Sequence, residues 1–185
     1  MYSDIFCKVY NEFGWNYYPE AFGEQLLQWL KLQNLQPRSS LDLACGTGSV
    51  AAILAQQGLR VTGVDMSEDM LTVACAKTAD MPNAPRFVCQ KLQELQLPRG
   101  VDLAVCALDS IDYILDPEDC KKAIERVYKA LNPGGIFIFD VNTPEKLRAI
   151  FYSSSKSSFP TPQRGQVQSS GTSSQAVPGA IPLSS

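Results

Sequence analysis

LDLACGTGSVAAILA, residues 41–55, decides how this chain is read. A short apolar segment runs into Asp42, glycines stand at 46 and 48, and a helical pattern begins. The reading is a strand at about 40–45, a tight turn, then a helix over about 48–57 that stops at Gly58, a residue suited to a left-handed cap. Glycines let the backbone pass close to a ligand where side chains would block it. The helix start beyond them offers free N–H groups and partial positive charge to an anion. The plainer alternative is a strand-to-helix turn with no ligand.

The pattern extends in both directions. Phe22, Leu26, Leu27 and Leu30 recur at helical spacing across 18–34, with Pro19 tolerated near the start. RVTGVD at 60–65 reads as a second strand, followed by Ser67 as the N-cap of SEDMLTVACAK. RFVCQ at 86–90 and VDLAVCAL at 101–108 read as strands three and four. Asp116-Pro117 opens a helix that runs through Ala123, Ile124, Val127 and Leu131 and ends at Asn132-Pro133-Gly134-Gly135. IFIFDVN, at 136–142, is the fifth strand. Near-continuously apolar strands alternating with helices imply an α/β fold: a Rossmann-like, doubly wound parallel sheet of five strands with its ligand crevice at the strands' carboxyl ends. From Ser153 the chain is rich in Ser, Pro and Gln, lacks acidic residues and shows no periodicity. Such a segment buries too little apolar surface to offset its ordering entropy. The expected organisation is therefore a folded domain over 1–152 and a disordered tail over 153–185.

Composition narrows the function classes. At 45% hydrophobic and 19% charged, with net charge −3, the chain has the profile of a globular protein and no basic footprint for nucleic acid. No apolar run reaches the roughly 20 residues of a membrane helix, and the N-terminus lacks a signal peptide's apolar stretch, so neither membrane nor export is expected and the cytoplasm is. The six cysteines are scattered without a CxxC pair and several sit in apolar runs, which reads as reduced core thiols rather than a metal site. There is no histidine, so schemes built on an imidazole base are excluded.

Gly46-Thr47-Gly48-Ser49-Val50-Ala51 also fits the dinucleotide pattern G-x-G-x-x-G/A. Asp42 argues against a dinucleotide, because a carboxylate before the loop meets a pyrophosphate with like charge. It suits instead a ligand carrying an ammonium and a sulfonium. Asp65, at the end of strand two, is placed to accept hydrogen bonds from ribose hydroxyls. The alternative is that Asp65 merely caps the next helix.

LDLACGTG, VTGVDMSEDML and LNPGGIFIFDVN, in that order and spacing, resemble the class I S-adenosylmethionine-dependent methyltransferases, the small-molecule branch especially. The similarity covers about residues 1–150. It implies S-adenosyl-L-methionine as cofactor, with its methionine part cradled at Asp42, Ala44, Gly46 and Gly48. It further implies the ribose at Asp65 and the adenine packed on Met66. The adenine amino group would fall near Lys91 and Leu92, where the family usually has an acid; a lysine cannot accept that hydrogen bond. Ala107 and Leu108 match the wall beneath the methyl group. Tyr17 and Tyr18 match the N-terminal aromatic folded over the cofactor, with plain core or cover residues as the alternative.

Methyl transfer from a sulfonium needs alignment and exclusion of water more than an imidazole. Asp109, Asp112 and Tyr113, beyond strand four, are the candidates to accept an acceptor's proton, followed by Asp140 and Asn142; each is equally a turn former. The family sheet normally continues past strand five to an antiparallel pair, which this sequence is expected to lack. Ile136, Phe137, Ile138 and Phe139 would then border an open edge able to pair with a second copy. The chain thus reads as a shortened version of a longer enzyme, with a deliberately small domain as the rival. The function implied is methyl transfer to oxygen or nitrogen of a small-molecule acceptor. The alternatives are a non-catalytic interaction module of the same fold and an NAD-type oxidoreductase.

Overall fold

The computed structural model describes residues 17–97 and 100–145. The chain divides into two units; described residues up to Val141 belong to the first, and of the second only 142–145 are described. The expected tail from Ser153 lies outside the described residues.

Helix α1 spans Tyr17–Leu32 and strand β1 Ser39–Leu43; α2 follows over Ser49–Gln56 and β2 over Arg60–Asp65. Then come α3 (Glu68–Thr78), β3 (Arg86–Cys89), β4 (Val101–Cys106), α4 (Pro117–Ala130) and β5 (Leu131–Phe139). Among the described residues the five strands form one sheet in the order β3-β2-β1-β4-β5, every pair parallel. The order reverses between β1 and β4, so the loops that leave those two strands diverge and open a crevice at the carboxyl rim.

Both faces are buried, as uninterrupted apolar strands require. Leu26 and Leu30 of α1 join Val50, Ala51 and Leu54 of α2 against Val61, Leu103 and Val105. On the other face Val127 and Ala130 of α4 cover Leu41, Leu43, Val64 and Ala104. Side chains alternate along a strand, and Leu41 and Leu43 go to the α4 core. Asp42 is therefore driven into the α2 side of the sheet.

The cap residues behave as their chemistry dictates. Ser67 Oγ accepts from Met70 N at 3.3 Å, and Asp116 Oδ1 accepts from the N–H groups of Glu118 and Asp119, with Pro117 as the first helical residue. Gly58 ends α2 at φ +85°, its N–H bonded to Ala55 O.

Several boundaries differ from the sequence reading. Strand β4 stops at Cys106 because Leu108 (φ +59°) and Asp109 (φ +47°) turn the chain left-handed. Helix α4 stops at Ala130, not at Leu131, which is extended and pairs with Val101. Asn132-Pro133-Gly134-Gly135 lie inside β5 as a register shift between Val101 and Leu103, rather than between a helix and a later strand. The reason is a polar knot. Asp102 Oδ1 accepts from Asn132 Nδ2 at 2.8 Å, while Oδ2 accepts from the N–H groups of Arg38 (2.8 Å) and Ser39 (3.1 Å) and from Ser39 Oγ (3.1 Å). These bonds, Asn132 foremost, hold the Asp102 carboxyl below its usual range. The carboxylate thereby fixes the start of β1 and the bulge of β5 to β4. Strand β5 ends at Phe139, three residues short of the expected span. Among the described residues it has a strand neighbour on one side only, with Phe139 exposed and Ile136, Phe137 and Ile138 partly covered.

Candidate active site

Beyond Leu43 the chain leaves the sheet through Ala44, at φ +52°, and Gly46, also at φ +52°; Cys45 N donates to Val64 O at 3.0 Å. Gly48, at φ +71°, caps α2 without a side chain. The two glycines serve different ends. A side chain at Gly46 would meet nothing within 4 Å, so this position borders open space at the rim. A Cβ at Gly48 would stand 2.9 Å from the Phe87 ring and 3.0 Å from the Ala74 methyl. Gly48 is thus required by packing against β3 and α3 as well as by its left-handed backbone, a duty the sequence reading did not give it.

Asp65 closes β2 and holds the loop. Its Oδ2 accepts from Gly46 N at 2.8 Å and its Oδ1 from Ser67 N at 2.9 Å. The carboxylate ties the glycine turn to the start of α3, and a carboxylate with about four lone-pair sites retains acceptor capacity for a ligand. Met66 beside it is largely exposed. Next along the rim, Lys91 pairs with Glu94 at 4.0 Å, both side chains well exposed, and Leu92 packs beneath them on the α4 core.

Asp42 lies below the loop at 2% exposure. The Ala51 N–H donates to its carboxylate, and Oδ2 has no hydrogen-bond partner among the described residues. Burial, partly offset by that bond, pushes its carboxyl up to about 7. The nearby Asp65 charge raises it further and Lys77 lowers it. This predicts a pH dependence with a definite sign. The unfolded carboxyl titrates near ~4, so between about pH 4 and 7 the folded chain holds a proton that the unfolded chain releases. Stability from this group is full below that window and is lost as pH rises through it, on the order of a few kcal/mol in all. Urea denaturation from pH 4.5 to 7.5 is expected to show this slope in the wild type and its loss in Asp42→Asn.

Sequence reasoning missed Lys77, whose Nζ donates to Ser49 Oγ at 3.0 Å. It stands in the last turn of α3, and only the approach of α3 to α2 brings it to Ser49. Cys45 was likewise read as core: burial pushes its thiol well up, with Asp42 and Asp65 adding to this, and the group is inert.

Across the switch point, Ala107 is buried at 8% exposure and Leu108 packs on the α2 core. Ser110 Oγ donates to Ala107 O at 2.7 Å and Asp112 N to Asp109 O at 2.9 Å, which builds a tight turn over Ser110–Tyr113. Tyr113 is 75% exposed. Asp140 N reaches Cys106 O at 3.4 Å, at the rim between β4 and β5, and Asn142 follows in the chain. Tyr17 and Tyr18 stack edge to face at 5.5 Å, both about two-thirds exposed. Among the described residues no acidic, cysteine or histidine cluster could hold a metal, and no helix is long and apolar enough to cross a membrane.

A family model described as a methyltransferase domain matches residues 41–135. The YqeM protein of Bacillus subtilis is 33% identical over 147 residues, 79% of this chain and 58% of its own length. The ubiquinone biosynthesis O-methyltransferase of Idiomarina loihiensis is 34% identical over 101 residues, 54% of this chain and 40% of its own. An S-adenosylmethionine-dependent methyltransferase from Clostridium acetobutylicum superposes with TM-score 0.69 at 34% identity, covering 77% of this chain and 61% of that one. The chain spans about half the length of the curated relatives it matches.

Proposed function

We infer, from a chain that belongs to the methyltransferase domain family, that it moves a methyl group from S-adenosylmethionine to an oxygen or nitrogen of a small molecule. The observation that carries this reading is the unpartnered Oδ2 of buried Asp42 beneath an open glycine turn. A buried acceptor without a donor is costly, and a ligand ammonium supplies the missing donors and the opposite charge. A dinucleotide pyrophosphate would supply neither, which disfavours the oxidoreductase alternative. S-adenosylmethionine, the family's cofactor, contributes a methyl carried on a sulfonium, whose departure as a neutral thioether needs no acid.

The chain's own residues then have separable tasks. Asp42 takes the ammonium end, while Ala44 and Gly46 give backbone to the methionine part. Asp65 accepts from the ribose with the capacity its two loop bonds leave free, and Met66, Lys91 and Leu92 border the base. Ala107 and Leu108 wall the reacting end and keep water from it. Asp109 and Asp112, with Tyr113 in the same turn, stand where a carboxylate could take the proton released by an amine or hydroxyl as the new bond to carbon forms. Tyr17 and Tyr18 offer exposed rings at the start of α1 to close over the site. A reducing compartment such as the cytoplasm suits the five described cysteines, all free.

Calorimetry of the whole chain with S-adenosylmethionine, and in parallel with NAD, tests this. Heat and a thermal shift with the first and neither with the second are expected. A folded sample that responds to neither overturns the enzyme reading. It leaves the interaction module, for which β5, with a strand neighbour on one side only among the described residues and Phe139 exposed, is the supporting feature.

A further inference from the structure

We propose that Lys91 and Glu94 together read the edge of the purine base: the Lys91 ammonium donates to ring N1 and the Glu94 carboxylate accepts from the exocyclic amino group. The proposal rests on the methyl-donor reading above and names the residues that give that site its choice of base.

Strand order sets the place of the base. The sheet runs β1, β2, β3 without a gap, with neighbours about 4.8 Å apart. A ligand held at Asp42 on β1 and at Asp65 on the end of β2 therefore carries its next group over the rim of β3. Asp65 lies in register with Cys89, the last residue of β3, and Gln90 N donates to Asp65 O at 3.0 Å. The chain then enters a 3₁₀ turn over Leu92–Glu94, closed by Glu94 N on Lys91 O at 3.0 Å. Leu92 and Leu95 root this turn in the α4 core. Side chains three residues apart eclipse in such a turn, so Lys91 and Glu94 stand side by side beyond Asp65.

Their chemistry suits a base edge better than a fold. The two side chains are 54% and 66% exposed and meet at 4.0 Å, whereas Lys122 and Asp119 close to 2.9 Å. An exposed pair this loose contributes little to stability. It leaves donors on the ammonium and lone pairs on the carboxylate for a third party. Adenine presents an acceptor, N1, beside a donor, its amino group, which is the complement of a lysine beside a glutamate. Neighbouring polar groups are already engaged: Gln90 Oε1 accepts from Gln96 N at 3.2 Å, and Cys89 Sγ donates to Met66 O at 3.6 Å. The acceptor that Lys91 does not offer thus stands one turn further along the chain, at Glu94.

Calorimetry of the whole chain with S-adenosylhomocysteine and with its 1-deaza and 6-deamino analogues is the test. The wild type is expected to bind each analogue about tenfold more weakly than the parent compound. Lys91→Met should bind the parent and the 1-deaza compound alike while still rejecting the 6-deamino one. Glu94→Ala should show the reverse. Both side chains are exposed, so urea midpoints should match that of the wild type. Variants that keep both wild-type preferences overturn the proposal, as does a wild type that binds all three compounds alike. The methyl-donor reading survives either result. A wild type that binds none of the three overturns that reading itself.

Discussion

Asp65→Ala is expected to lower affinity for S-adenosylmethionine by about a hundredfold or more, at a folding cost on the order of 2 kcal/mol. The carboxylate does two jobs that the single change removes together. It accepts from Gly46 N at 2.8 Å and from Ser67 N at 2.9 Å, so its loss leaves two part-buried N–H groups unpaired and frees the glycine turn. It also provides the charged acceptor that the proposed ribose contact requires, and hydrogen bonds to a charged group are worth about 1.5–3 kcal/mol each. Asp65→Asn separates the jobs, since the amide keeps one acceptor of the same shape but no charge. It should fold less well than the wild type but better than Asp65→Ala, because one of the two N–H groups then faces the amide NH2, and it should bind with an intermediate loss. Should Asp65→Ala lose stability and yet bind with wild-type affinity, Asp65 is a strut of the loop and the ribose role falls.

The second large effect falls on folding. Gly48→Ala is expected to destabilise the chain by about 2–4 kcal/mol, the sum of left-handed strain and overpacking. The backbone there is at φ +71°, and the new methyl would press on the Phe87 ring at 2.9 Å and on Ala74 at 3.0 Å. Gly46→Ala is the control. It shares the positive φ but meets nothing within 4 Å, so only about 1 kcal/mol of strain is expected. Urea midpoints of both variants decide the point, and trimming Phe87 to Leu in the Gly48→Ala background should restore part of the loss. If both glycine variants cost the same, the crowding at Gly48 is relieved by small shifts and the packing account is wrong.

Such contrasts mark the limit of local reading. Both glycines belong to one motif and look alike in sequence, yet the packing of β3 and α3 gives one a steric duty and leaves the other open. Asn132-Pro133-Gly134-Gly135 reads as a helix terminator, and it does follow a helix. What the local pattern cannot contain is Asp102, some thirty residues earlier, whose carboxylate takes Asn132 Nδ2 and carries the segment into β5. Lys77 stands in the last turn of a helix, and its bond to Ser49, 28 residues earlier, exists only once α2 is laid against that helix.

The sequence by itself determined the parallel α/β sheet, the caps at Ser67 and Asp116, and the loop that joins Asp42, Gly46 and Asp65. These follow from side-chain periodicity, backbone permissiveness and charge, which act over a few residues. Only the tertiary structure decided that Asp42 is buried with one oxygen unpartnered among the described residues, that Asp65 already braces the turn, and that Lys77 reaches Ser49 at the start of α2. Burial, desolvation and the meeting of charges depend on distances between elements remote in sequence. Those distances are set when the helices pack onto the sheet.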